Sequence, residues 1–468
     1  MPVDAIFGVS PQTVSDCMKA ALSKGGSYSD VYFERSRKWS CLLADRVASS
    51  VRADTDFGAG VRVVDGLKTG YAYTQCCDHA SLMAAAESAS AISTKGGGNA
   101  PCTESFSDPH YIGRYDMQAP WSQHLPIECL KTLDELIFSR DSSVLKFIAR
   151  LDCSEKDILF YNSLGTRCSE TRPLGSITAY VIMSKNGRTE SFSCSRSWRM
   201  GREMISDSLL SDMADTLIEG GRRLFESDRP SSGRMPVVFA PGISGILLHE
   251  AIGHAFEADM IRKNTSVFSG KMGEMVANPI VSVVDDGTIY GNRGALSFDD
   301  EGVAGQKTYM VREGRLESYL HDRISAAHFG VEPTGNGRRE NFRFAPIPRM
   351  RCTYMEAGDS SLEQLIGGVD KGIYVDNISN GQVNIGQGDF TFYVKTGYMI
   401  ENGRLTRPIK DTNIIGNGPQ ALADIIGVGD TLVVEDSATI CGKGQSVAVG
   451  CGMPAALVRE LNVGGLDK

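Results

Sequence analysis

The chain has 468 residues, of which 41% are hydrophobic and 22% are charged, and its net charge at pH 7 is −9. This composition is typical of a soluble globular protein of two or three domains, not of a disordered or fibrous chain. An acidic chain lacks the basic footprint that phosphates require, so nucleic acid is not expected as a partner. No apolar run approaches about 18 residues, and we expect neither a membrane span nor a secretory signal.

The 12 cysteines are scattered along the chain and form no compact, evenly spaced framework. A chain of this length has no need of disulfides to stabilise its core. We therefore expect reduced thiols and a cytoplasmic protein, with most cysteines acting as small buried hydrophobic residues.

The first half of the sequence predicts a mixed domain of helices and hairpins. A Ser-Pro start and helical spacing predict a helix over 10–24, and alternation with turn signals predicts strands over 30–74. Helices are also expected near 78–94, 125–140 and 203–226, with a strand-rich block and an Asn186-Gly187 turn between the last two. Because strands and helices do not alternate regularly, the pattern favours an α+β fold.

The polar segment Ser227–Arg234 predicts a boundary between an N-terminal α+β domain, residues 1–230, and a strand-rich C-terminal domain, residues 231–468. Beyond this boundary we expect three hairpins, over Val281–Tyr290 around Asp286-Gly287, Thr308–Leu320 around Glu313-Gly314, and Gln382–Thr406 around Asn402-Gly403. A helix is expected at Gln420–Ile426. A short basic patch, interrupted by prolines, is expected to be solvated surface; it contains Arg343, Arg349 and Arg351.

One apolar helix of the second domain carries the residues that point to chemistry. Pro236–Ala240 predicts a short buried strand, and the helix that follows has an apolar face that includes Leu248. His249 and Glu250 lie beside this face, and His254 follows five residues after His249. The pattern is therefore H-E-x-x-x-H.

This spacing has a geometric consequence. In a regular α-helix, residues five apart are turned by about 140°, so His249 and His254 could not both reach one ion. A π-bulge would bring the two rings to the same side, and a helix that ends near Gly253 would do so equally well. The residues alone leave two interpretations open: a metal site with Glu250 as a base, or two ordinary histidines and a surface glutamate.

The segment His249–Asp259 (HEAIGHAFEAD) resembles the signature of the TldD/TldE (PmbA) family of metallopeptidases. The resemblance recurs in the same order at Tyr319–Arg323 (YLHDR), Pro333–Arg339 (PTGNGRR) and Cys441–Ser446 (CGKGQS). It covers most of the chain and is weaker in the first half. The intact histidine motif resembles the catalytic members of the family, because their partner proteins lack it.

The resemblance implies a zinc site and its residues. His249 and His254 match the two histidine ligands, Cys441 matches the third protein ligand, and Glu250 matches the glutamate that activates a zinc-bound water. The CGKGQ segment is one residue shorter than the family spacing, and Cys451 is the alternative third ligand. A thiolate with two imidazoles favours zinc over magnesium or calcium.

Further residues near these motifs are candidates for supporting roles. Glu257 and Asp259 could accept hydrogen bonds from a ligand imidazole, or could lie on a solvated helix end. His321 and the Arg338-Arg339 pair could contact an oxyanion or a substrate carboxylate, or could make structural hydrogen bonds in a turn.

The resemblance implies a zinc-dependent peptidase of unfolded or pre-cleaved peptides, enclosed in an assembly with a TldE-like paralogue or with a second copy of itself. A strand-rich domain could bind an extended peptide at an exposed sheet edge. Two other functions stay open: a zinc amidase acting on a non-peptide substrate, and a non-catalytic partner or scaffold subunit.

Overall fold

A computed structural model of the chain describes residues 3–93, 102–103, 105–109, 117–242, 245–384 and 386–464. The strands of the first half are β1 Tyr28–Ala44, β2 Val47–Asp65, β3 Lys68–Thr74, β4 Val144–Asn162, β5 Arg167–Lys185 and β6 Arg188–Trp198. They form one antiparallel sheet in the order β3-β2-β1-β4-β5-β6. The helices of this half are α1 Val3–Phe7, α2 Pro11–Leu22, α3 His79–Ser90, α4 Glu128–Arg140 and α5 Asp207–Glu226.

The two faces of this sheet differ because side chains alternate along each strand. One face is apolar and is covered by the helices: Val31 and Phe33 pack against α2 and α3, and Leu151 and Ile177 pack against α4 and α5. The opposite face carries polar and charged residues. This polar face is turned toward the second half of the chain.

The second half is richer in strands. Its strands are β7 Gly233–Phe239, β8 Val283–Asp286, β9 Lys307–Arg312, β10 Arg315–Leu316, β11 Gly337–Arg338, β12 Ile347–Pro348, β13 Cys352–Met355, β14 Lys371–Asn384, β15 Asp389–Glu401, β16 Arg404–Asn417, β17 Ile425–Val428, β18 Val433–Val434, β19 Ile440–Gly442, β20 Ser446–Ala448, β21 Gly450–Met453 and β22 Ala456–Gly464. Its helices are α6 Gly245–Ala251, α7 Ala258–Arg262, α8 Arg323–Phe329, α9 Leu362–Gly367 and α10 Gly418–Ala423.

These strands form two larger sheets and two short ribbons. One sheet has the order β16-β15-β14-β7-β22-β17 and the other has the order β10-β9-β8-β13-β21-β18. The ribbons pair β11 with β12 and β19 with β20. Helix α6 packs between the two larger sheets, where its apolar side chains join a core built from both. The fold is α+β.

Buried ion pairs join the two halves of the chain. Arg62 of β2 contacts Asp30 of β1 and also Glu301 of the second half, at 2.6 Å to the latter, and all three side chains are fully buried. Arg172 of β5 similarly contacts Asp300. Breaking one partner of such a pair is costly because the remaining charge is buried without compensation.

Most predicted elements are present in the structure. The predicted helix over 10–24 is α2, the predicted turn at Asn186-Gly187 joins β5 and β6, and the segment 78–94 contains α3, with residue 94 outside the described residues. The hairpins around Glu313-Gly314 and Asn402-Gly403 are also present. Among the described residues, no helix is long and apolar enough to cross a membrane.

The predicted hairpin over Val281–Tyr290 is wrong. Asp286 does form a local turn, in which its carboxylate accepts the backbone N–H of Thr288 at 2.8 Å. Strand β8, however, ends at Asp286 and pairs on one side with β9 and on the other with β13. Both edges of β8 are therefore occupied by strands that are distant in sequence, and all four of its residues are buried.

Candidate metal centre

The centre is built at the end of helix α6. The helix stops at Ala251, and Ile252 leaves the helical conformation with φ −134° and ψ −34°. The chain then continues as a 3₁₀ turn over Gly253–Phe256. This break brings the imidazoles of His249 and His254 together, with their ring centroids 5.2 Å apart. The second of the two predicted solutions is therefore present: the helix ends near Gly253.

The third residue comes from a ribbon far along the chain. Cys441 lies on β19, and its Sγ is 3.2 Å from Nε2 of His254. The potential ligand atoms of His249, His254 and Cys441 all lie within 4.8 Å of one another, and all three side chains are buried. The structure thus brings together the two histidines and the cysteine that the sequence singled out.

The chemistry of these donors fits a zinc ion. Neither ring nitrogen of His249 has a hydrogen-bond partner among the described residues, although both atoms are buried. A buried nitrogen without a partner is costly, and a metal ligand bond would satisfy one of these two atoms. Two imidazoles and one thiolate match the three protein ligands of a catalytic zinc site, with a fourth position left for water.

The cysteine and the second histidine perturb each other strongly. Burial alone would raise the pKa of the Cys441 thiol, but the two neighbouring imidazoles outweigh it and lower this pKa to about 5. Burial would lower the pKa of His254, but Glu257 and the thiolate outweigh it and raise this pKa to about 10. Without metal, the pair is therefore a thiolate and an imidazolium at neutral pH.

A buried carboxylate orients His254 from the other side of its ring. Nδ1 of His254 lies 2.9 Å from Glu257, which is fully buried and also contacts Lys443 at 3.0 Å. Burial would raise the pKa of Glu257, but His254 and Lys443 outweigh it and lower this pKa to about 2. An ionised Glu257 accepts the proton of Nδ1, which leaves Nε2 free to bind a metal.

Two cations complete this arrangement. Lys443 donates to Asp259 at 2.6 Å, so Asp259 acts on the centre only through the lysine. Arg349 lies 3.8 Å from Glu257 and donates to the backbone carbonyl of Cys441 at 2.6 Å. The expectation that the basic patch is solvated surface is wrong for Arg349 and Arg351, which are both buried, whereas Arg343 is partly exposed. The sequence around Arg349, which is interrupted by prolines, contains no signal that predicts this burial. Lys443, by contrast, could have been found because it lies within the CGKGQ motif.

Glu250 differs from its neighbours in being partly exposed at the end of α6. Its carboxylate forms no hydrogen bond or ion pair with any described residue, so it is available for proton transfer. Cys451 lies near Glu250 and is buried, and burial together with Glu435 and Glu250 raises its pKa to about 12. Among the described residues, the metal-ligand geometry includes Cys441 and not Cys451.

Two of the remaining candidates, Arg338 and Arg339, make structural hydrogen bonds. Arg338 donates to two backbone carbonyls at 2.6 and 2.7 Å, and Arg339 donates to the carbonyl of Asp300 at 2.8 Å and to Tyr71 at 3.1 Å. His321 is buried, and burial lowers its pKa to about 4. These three residues do not belong to the cluster of ligand atoms. Arg338 and Arg339 therefore make structural hydrogen bonds, whereas Nδ1 of the buried His321 has no hydrogen-bond partner among the described residues.

A large cleft lies beside helix α6. It has a volume of about 940 Å³ and separates the polar face of the first sheet, at β5 and β6, from the second half of the chain. Ile246 of α6 lines it, as do residues 433–439, which lead toward Cys441. We call this space the main cleft. It is large enough for a segment of extended peptide beside the helix that carries His249 and Glu250.

Solved structures have the same fold. The chain superimposes on a protein of Thermotoga maritima with a TM-score of 0.78 and 22% identity, covering 97% of this chain and 100% of that one. It superimposes on TldE from Thermococcus kodakarensis with a TM-score of 0.75 and 17% identity, covering 97% and 99% of the two chains. At these identities the likeness establishes the fold.

Sequence comparison establishes the family. Residues 29–93, 119–223 and 232–465 match, in order, domain 1, the central domain and the C-terminal domain of the PmbA/TldA metallopeptidases. A Haemophilus influenzae protein named metalloprotease TldD homolog is 36% identical over 468 residues, with 98% of this chain and 97% of the relative covered. The chain therefore belongs to the PmbA/TldD family of metallopeptidases.

Proposed function

We propose that the protein is a zinc-dependent peptidase that hydrolyses unfolded or pre-cleaved peptides. The observation that carries this proposal is the buried cluster of His249, His254 and Cys441, in which His249 has no other partner, beside the free carboxylate of Glu250. Nitrogen and sulfur ligands of this kind select zinc over the hard cations that prefer oxygen.

Different residues of the site have different roles in peptide hydrolysis. When bound, zinc supplies Lewis-acid chemistry, which polarises a carbonyl and lowers the pKa of a water molecule to about 7. Glu250 accepts the proton of the attacking water and then donates it to the leaving amine. Glu257 holds Nδ1 of His254 through the 2.9 Å contact, which fixes the orientation of that ring.

The main cleft supports an extended, unfolded substrate. Strand β6 is an edge strand of the first sheet, and residues 191–196 line the cleft. A peptide strand can pair with such an edge through backbone hydrogen bonds, which places little demand on its sequence. A folded protein could not present its backbone in this way, and this favours unfolded or already cleaved chains.

The proposal includes an assembly and a location. We infer that the protein works with a TldE-like paralogue or with a second copy of itself, in line with its family and with the fold that it shares with TldE. The cysteines are scattered along the sequence and form no compact framework, which favours the cytoplasm, where thiols stay reduced.

The test compares wild type with Glu250→Gln, and uses Glu274→Gln as a matched control on the surface. Bound zinc and cleavage of a mixture of unstructured peptides are measured, with and without a TldE-like partner. Wild type and Glu274→Gln should bind zinc and cleave; Glu250→Gln should keep its zinc and lose cleavage. Absence of zinc from wild type would favour a scaffold subunit, and cleavage only of non-peptide amides would favour an amidase.

A further inference from the structure

A second cavity lies on the polar face of the first sheet, next to the main cleft. Its volume is about 540 Å³, and four basic and two acidic side chains line it. We call it the basic groove, and its charged residues are Lys38, Arg52, Asp54, Arg150, Asp152 and Arg293. The excess of positive charge stands out in a chain whose net charge is −9.

Two of the four cations have acidic partners within the groove. Lys38 lies directly opposite Asp54 in the pairing of β1 with β2. Arg150 forms an ion pair with Asp152 at 2.7 Å. The other two cations of the groove, Arg293 and the exposed Arg52 on β2, form no ion pair with any described residue.

Arg293 is a buried cation whose hydrogen-bonding capacity is largely unused. The residue is 3% exposed, its Nε has no hydrogen-bond partner among the described residues, and Nη1 donates a long hydrogen bond of 3.4 Å to the carbonyl of Ser437. It forms no ion pair with any described residue. Burial and the neighbouring Arg199 lower its pKa to about 10. A buried guanidinium without a counterion is unfavourable, and a carboxylate would pair with its planar fork through two hydrogen bonds.

The groove is continuous with the main cleft and close to the metal centre. Thr178 and Ala438 line both cavities. Ile440, which lines the groove, immediately precedes Cys441 on β19. Glu250 and Arg293 both lie close enough to the buried Cys451 to affect the pKa of its thiol. A peptide lying in the main cleft can therefore extend into the groove.

We propose that the basic groove binds a carboxylate of the peptide substrate, with Arg293 as its principal ligand. This inference rests on the proposed peptidase function and adds a substrate class to it. The carboxylate is either the free C-terminus of a cleaved peptide or an acidic side chain. Both sources offer the same two oxygen atoms to the guanidinium, and the peptides used in the test distinguish them.

The test measures the binding of fluorescent peptides to the zinc-loaded Glu250→Gln protein by anisotropy, so that cleavage does not interfere. Three unstructured peptides are compared: one with a free C-terminal carboxylate and no acidic side chain, its C-terminal amide, and that amide with one internal glutamate. We expect at least one carboxylate peptide to bind about tenfold or more tightly than the plain amide, because a hydrogen bond to a charged group contributes about 1.5–3 kcal/mol. Which peptide shows the preference identifies the source.

Variants then assign the preference to Arg293. Arg293→Met should remove it, Arg293→Lys should retain part of it, and Arg222→Met, on the helical side of the sheet, should leave it unchanged. Zinc content and circular dichroism establish that each variant is folded. If Arg293→Met does not fold, a reduced preference in Arg293→Lys assigns the carboxylate to Arg293, and an unchanged preference contradicts that assignment.

Equal binding of all three peptides, no binding of any, or a preference that survives in Arg293→Met would overturn the proposal. Failure of wild type to cleave peptides would count against the peptidase function, and not against the groove.

Discussion

Glu257→Gln tests the idea that a buried carboxylate prepares His254 for metal binding. The substitution keeps the shape of the side chain but removes its charge. Glu257 is fully buried, and its Oε2 contacts both Nδ1 of His254 at 2.9 Å and Nζ of Lys443 at 3.0 Å. The neutral amide is a weaker hydrogen-bond acceptor for Nδ1, and it no longer stabilises the positive charges of His254 and Lys443.

The expected magnitude follows from the contacts that survive. Loss of a carboxylate that orients a ligand histidine typically costs 10–100-fold in metal affinity, which is about 1.4–2.8 kcal/mol. Lys443 keeps Asp259 at 2.6 Å, so it is not left as an isolated buried charge. We therefore expect destabilisation of the fold to stay below the about 3–5 kcal/mol of a fully orphaned ion.

The assay is competition for zinc with a chelator of known affinity, at constant pH. Asp259→Asn is the matched control because Asp259 contacts Lys443 but is not a partner of His254. Glu257→Gln should release zinc at chelator concentrations 10–100-fold lower than wild type, and Asp259→Asn should behave much more like wild type. Equal zinc affinity in wild type and Glu257→Gln would contradict a role for the Glu257 carboxylate in orienting His254.

Three further predictions concern separate residues. Cys441→Ser should lose zinc and Cys451→Ser should keep it, as measured by metal analysis; the reverse result would assign the ligand to Cys451. The pKa of His321 is lowered by burial to about 4 from 6.5, so stability should fall by about 3 kcal/mol as pH drops through this window. Denaturant unfolding of His321→Gln should lack that contribution. A Cβ in Gly253→Ala would overlap the sulfur of buried Met350, which should cost about 1–3 kcal/mol and lower the Tm.

Local patterns in the sequence were sufficient for much of the fold. The helix that became α5 and the hairpin at Asn402-Gly403 depend on neighbouring residues, and both were predicted. The turn at Asp286-Gly287 was also recognisable, but the pairing around it was not. Strand β8 pairs with β9 and β13, which are far from it in sequence, so a local pattern cannot identify these partners.

The candidate site divides in the same way. The spacing of His249 and His254 required a break in the helix, and the structure has one at Ile252. Cys441 is 187 residues from His254, so no spacing argument could connect them, and only family resemblance named it. The burial of Arg349 could not be predicted from the local sequence, because burial of a charge depends on partners that fold around it, here Glu257 and a backbone carbonyl.

X-ray absorption at the zinc edge of the purified protein identifies the atoms that bind the metal. We expect near-stoichiometric zinc with two nitrogen ligands at about 2.0–2.1 Å, one sulfur at about 2.3 Å, and a light-atom fourth ligand from water. In Cys441→Ser the sulfur scattering should disappear. Zinc without a sulfur ligand in wild type, or a sulfur ligand that persists in Cys441→Ser, would contradict the assignment of His249, His254 and Cys441 as the metal centre.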